Sequence, residues 1–150
     1  MLKQIIPAIS TCANAGDRAE WDICAYLGHM RHAHDASRFD MASDVDADDF
    51  QISVKSGRFS LFSGKIAHEQ GLVTKEDHMA YYFEHTHSNL WCYVCKDNTA
   101  FFMNANEFAA FVNAFCFLEA DSSKNKGYMK LRLGRQNKKY RAWLESHCGE

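Results

Sequence analysis

The fold turns on DADDFQISVKSGRFS, residues 46–60. Phe50, Ile52 and Val54 alternate with Gln51, Ser53 and Lys55, the period of a strand with one apolar and one polar face. The aspartates at 46, 48 and 49 supply turn chemistry before it, and Gly57 ends it. Upstream, Phe39, Met41 and Val45 fall on one parity and Asp40, Asp44 and Asp46 on the other, so 38–45 reads as a strand. With 50–56 and 58–62 it makes an antiparallel three-stranded meander.

Helical stripes flank this meander. Asp17 and Glu20 have the spacing of a capping box, and Ile23, Cys24, Leu27 and Met30 follow as an apolar stripe, predicting a helix over 17–34. Residues 65–78 read as a short helix and loop. Residues 79–88 and 90–95, rich in aromatics and Val, read as strands, and 100–104 pairs back as a hairpin. Asn104 and Glu107 cap a helix whose Phe108, Phe111, Val112, Phe115 and Leu118 keep the helical period. A strand over 127–133 and a helix over 135–147, with Tyr140, Trp143, Leu144 and His147 on one face, complete the chain. The fold class is α/β (α+β-like): one domain over 1–150 with a central mixed sheet flanked by helices.

The 150 residues are 47% apolar and 13% aromatic, which excludes disorder and supports a real core. No run is long enough to cross a bilayer, and the start, with Lys3 and a short apolar patch broken by Pro7, makes a poor signal peptide. The six cysteines, at 12, 24, 92, 95, 116 and 148, lie mostly in apolar segments and read as reduced thiols of a cytoplasmic protein. Charge is uneven: residues 1–123 carry a balance of −8 and residues 124–150 one of +6. A basic end on an acidic body can mark a polyanion-binding face; the plain alternative is a solvated helix.

Glu20 stands out because a carboxylate lies on a core-facing stripe. Asp44 and Lys55 have the parities to meet across neighbouring antiparallel strands about 4.8 Å apart. Carboxylates can hold Mg²⁺, and a lysine beside the metal can orient or deprotonate a water and screen phosphate charge. A helix with an inward Glu, a strand with Asp and a strand ending ISVKS resembles the restriction-endonuclease-like PD-(D/E)xK nuclease superfamily over residues 17–62. The resemblance implies an αβββαβ core and Mg²⁺- or Mn²⁺-dependent hydrolysis of phosphodiester bonds in DNA, less often RNA. By position Asp44 matches the first acid of the motif, Lys55 its lysine and Glu20 the helix acid. Ser53 stands where the second acid belongs, and serine is a poor Mg²⁺ ligand. Gln51, on the same face, is a neutral ligand candidate, and Asp40 or Asp46 could supply the missing charge.

Other motifs lead less far. His85, His87, Cys92 and Cys95 have the composition of a zinc site. On a regular strand, however, Cys92 and Cys95 point to opposite faces, and LWCYVC has no Gly or Pro to turn, so zinc is not expected. His32 and His34 suit the end of the first helix. No Gly-rich phosphate loop, Gly-x-Ser-x-Gly or His-Glu-x-x-His occurs. Lys130 and Arg132 share a strand face, and Arg135, Lys138 and Lys139 share a helix side; these five are the candidates for holding DNA. Two functions follow: a metal-dependent nuclease, with room for a homodimer, or a non-catalytic module of the same fold that binds nucleic acid or a protein.

Overall fold

The computed structural model describes residues 1–11, 14–27, 44–47, 49–121, 127–135 and 137–148. Its elements run β1 (Leu2–Ile5), α1 (Ala15–Tyr26), β2 (Val45–Ala47), β3 (Phe50–Ser56), α2 (Gly64–Glu69), α3 (Lys75–His85), β4 (Leu90–Val94), β5 (Thr99–Met103), α4 (Ala105–Phe115), β6 (Cys116–Ala120), β7 (Met129–Leu133) and α5 (Asn137–Ser146). A five-stranded sheet has the order β1-β5-β4-β3-β2, and β6 and β7 form a separate hairpin. Among the described strands only the β3–β4 pair is parallel, and the crossover between those two strands carries α2 and α3. The mixed α/β class is as expected.

Both faces of the sheet are covered. Ile52, Val54, Cys92, Val94, Ala100 and Phe102 face α1 and the segment around Ile6. Trp91, Tyr93, Phe101 and Met103 face the opposite layer, built from α2 to α5 and the β6–β7 hairpin. Every residue of β5 is buried, as a doubly covered central strand requires. The buried Asp22 pins the chain entering α1. One of its oxygens accepts from the amides of Ile9 and Ser10, the other from the side-chain amide of Asn98.

Several expectations need correction. The first helix starts earlier, because Asn14 accepts from the amides of Gly16 and Asp17 and is the true cap. It reaches its C-cap at Leu27, and 28–34 lie outside the described residues. The strand read over 38–45 is seen only from Val45 on; 38–43 lie outside the described residues.

The antiparallel three-stranded meander does not form. After Gly57, at φ 56°, the chain leaves β3 and runs beside the hairpin. Leu61 donates to the Leu131 carbonyl and Leu133 to that of Phe59, so among the described residues 58–62 pairs through a bridge between Ser60 and Arg132. The place beside β3 goes to β4, in parallel. The αβββ order of the expected core is therefore not the order seen.

Residues 79–85 are helical rather than a strand. Thr74 and Asp77 form a full capping box, and His78, Tyr81 and Tyr82 bury one face of α3, so cap and period override the β-propensity of the aromatics. The helix α4 stops at Phe115, because Cys116 is extended (φ −97°, ψ 142°) and opens β6. The edge strand β1 had no signal beyond a short apolar patch.

Candidate functional site

Where β2 ends, the ladder on that side of β3 is taken over by a side chain. The Asp44 amide donates to the Ile52 carbonyl, and its Oδ2 accepts from the Val54 amide at 2.8 Å. Asp44 thus satisfies a backbone donor on the β2 side of β3. Across this spot packs α1, whose Ala19, Ile23 and Cys24 bury against Val45, Ile52 and Val54. The helical period sets Glu20 one turn before Cys24, and its carboxyl hydrogen-bonds that of Asp44.

Burial, then the hydrogen bond and charge of Asp44, then the charge of Asp17 push the Glu20 pKa up to about 8; the Lys55 ammonium opposes them more weakly. At neutral pH the two carboxyls therefore hold a proton between them. The neighbouring Cys24 thiol is also pushed up, by burial first and then by the two carboxylates, so it is not a thiolate nucleophile.

Glu20 and Asp44 meet, whereas Lys55 does not join them directly. The parallel register sets Ser53 beside Trp91 and Lys55 beside Tyr93, on the face away from α1. The Lys55 Nζ stands 6.0 Å from the ring centres of both Phe59 and Tyr82. Among the described residues it makes no ion pair at salt-bridge distance, and it reaches Glu20 only through its charge.

Ser53 is buried, and its hydroxyl lies 2.6 Å from that of Ser88, so it does not take the place of the second acid. Gln51 is tied through its backbone to Asn89. Asp46 lies opposite Gln51 in β2, and Asp40 lies outside the described residues. No group of three or more His, Cys, Asp or Glu able to hold a metal occurs among the described residues. Cys92 packs on the α1 side and Cys95 on the other. His85 stacks on Tyr81 and bonds its carbonyl.

The five basic candidates separate. Lys130 pairs with Asp121 at 3.0 Å. Arg132 donates from Nε to the Arg58 carbonyl. Lys139 is exposed. Arg135 and Lys138 line a cleft of about 1230 Å³, together with Ala19 and Ser56, the chain neighbours of Glu20 and Lys55. Arg141, from the same basic end, also lines it. Sequence reasoning missed Arg18, Arg58 and Lys96, because they lie in three separate stretches of chain and no local charge run announces them. It could have found Cys24 beside the carboxylates, four residues after Glu20 on the same stripe. No family model, curated protein or solved structure matches the chain.

Proposed function

We propose that the chain is a divalent-metal-dependent phosphodiesterase acting on nucleic acid, with Glu20 and Asp44 as its two carboxylate ligands. The observation that carries this reading is the carboxyl pair held together beside the Val54 amide of β3, with the Glu20 pKa raised to about 8. Two acids pressed together against their mutual repulsion fit a cation, which would replace the proton they share. Mg²⁺ commonly takes one or two protein carboxylates and fills its remaining positions with water and substrate phosphate. Bound there, it would supply a polarised phosphoryl oxygen and a more acidic water.

The chain's own residues do the rest. The Val54 amide fixes the orientation of the Asp44 carboxylate. Lys55 adds positive potential that favours ionised Glu20. The thiol of Cys24 and the buried Ile23 and Val54 exclude water from one side of the pair.

The test is Mn²⁺ uptake by calorimetry together with cutting of plasmid DNA in Mg²⁺ or Mn²⁺. Asp44→Asn and Glu20→Gln should each weaken metal binding at least tenfold and abolish cutting, and Mg²⁺ should draw the Glu20 titration midpoint well below 8. A second reading, a non-catalytic nucleic-acid-binding module, is favoured by one observation: Ser53 is committed to Ser88 where a further acid would help. Protein that binds DNA but takes up no Mn²⁺ and never cuts would select it.

A further inference from the structure

We infer that the cleft at the carboxyl ends of β3 and β4 holds the phosphate backbone of a nucleic-acid strand, without reading its sequence. The inference rests on the proposed function only for the identity of the polyanion. The cleft is framed by Ser56 and Gly57, which end β3, and by Val94, Cys95 and Lys96, which end β4. β3 and β4 are the parallel pair of the sheet, and in open α/β sheets ligands sit in the crevice outside the carboxyl ends of such strands.

Charge then selects the ligand. Arg18, Arg58, Lys96, Arg135, Lys138 and Arg141 line the cleft, and Asp22 is the one acid among its described lining residues. Asp22 is buried and spent on two backbone amides and Asn98. Arg58 is held by Glu119, and Arg141 by Asp97 and Glu145, so these two form fixed walls. Lys96, Arg135 and Lys138 are exposed and make no ion pair among the described residues. Cations drawn from α1, the chain after β3, the β4–β5 turn and the α5 region repel one another across a concave surface, which focuses the potential toward an anion. Spread over four elements, they suit a row of phosphates better than a single one.

Among the described residues the same lining offers neither a ring for stacking nor a free side-chain amide for reading bases. Tyr93 and Tyr140 are buried, and the Tyr93 hydroxyl donates to the Gly57 carbonyl, so neither ring offers a stacking face. The Asn98 amide is spent on the Ile6 carbonyl and Asp22. Contacts to phosphate position a strand but carry no sequence information.

The experiment is fluorescence anisotropy with labelled DNA duplexes of equal length and two unrelated sequences, in EDTA, at two salt concentrations. Arg135→Ala with Lys138→Ala should weaken binding about tenfold and lower the salt slope by about 2. Lys96→Ala should weaken it less, Lys139→Ala should leave it unchanged, and the two sequences should bind alike. Full binding by the double variant, an equal loss in Lys139→Ala, or strong preference for one sequence would overturn the inference. Because EDTA removes the metal, the two proposals fail separately. Binding lost in the cleft variants of a protein that takes up no Mn²⁺ sinks only the metal reading. Mn²⁺ uptake and cutting with unaltered binding in those variants sinks only the cleft.

Discussion

The two faces of the five-stranded sheet are built from different materials. On one, Trp91 stacks on Phe108 with ring centres 5.3 Å apart and planes 7° from parallel, and Phe59, Phe111, Tyr93 and Tyr140 continue the aromatic contacts. On the other, α1 brings Ala19, Ile23 and Cys24 against Val45, Ile52 and Val54, and carboxylates stand at the rim. The aromatic layer holds the larger cluster of buried side chains, and burial of apolar surface is the main favourable term in folding. The thin aliphatic layer buries less and tolerates the acids. Stability is concentrated on one face, and the candidate chemistry on the other.

The comparison breaks first at Phe108. It is fully buried and touches Phe59, Tyr82, Phe83 and Trp91 through ring contacts. Phe108→Ala should cost about 3–5 kcal/mol, whereas Ile23→Val in the thin layer should cost about 0.5–1.5 kcal/mol. Urea denaturation of both variants checks this. Equal losses would mean that the two layers carry the fold equally.

The thin face is sharpened by Glu20. Its pKa is about 8 in the folded protein against 4.5 as the ordinary value. The folded state therefore binds more protons than the unfolded state between these values. The stabilisation is full below about pH 4.5 and is lost as pH rises through about 8. Glu20→Gln should flatten this alkaline decline, read as the urea midpoint between pH 5 and pH 9. Lys55→Met should raise the Glu20 midpoint in a carboxyl-carbon NMR titration, since the ammonium lowers it. An unchanged midpoint would disconnect Lys55 from the pair.

Much of the fold was legible, and its failures have physical causes. The capping box of Asn104 and Glu107 and the stripe behind it predict α4, and strict alternation predicts β3. Thr74 and Asp77 carry the same kind of signal for α3, but MAYYFEH is rich in residues that also favour strands, which hides the cap. In 58–62 apolar residues alternate as in a strand, yet nothing in the segment says which partner it joins.

The site was half legible. Glu20 betrayed itself as an acid on an apolar stripe, and Asp44 by its parity. The parity of Lys55 does not say where it sits, because the polar parity of β3 is not an open face. This sheet is covered on both sides, so Ser53 and Lys55 turn toward a second core, away from the helix that brings Glu20. The β4–β5 turn and α1 residues that complete the basic cleft are joined by tertiary structure alone.

The smallest expected effect concerns a flaw in the thick face. His78 is 1% exposed, and neither ring nitrogen has a hydrogen-bond partner among the described residues. The ring stacks on Phe62, with centres 5.5 Å apart and planes 13° from parallel. Burial pulls its pKa below the ordinary 6.5, and the Asp77 charge opposes this more weakly. The neutral imidazole thus serves as a flat apolar filler that leaves two polar atoms dry. His78→Phe keeps the stack and removes them, so it should be neutral or raise stability by about 1 kcal/mol at pH 7.5. The sign of the pH effect follows from the lowered pKa. Below pH 6.5 the unfolded chain protonates this residue before the folded one does, so wild-type stability declines as pH falls toward the depressed folded value. The variant lacks that decline, and its advantage over wild type should grow from pH 7.5 through 6.5 to 5.5 in urea denaturation. Parallel curves for the two proteins would mean that the imidazole finds a partner in solution and that the aromatic layer has no such flaw.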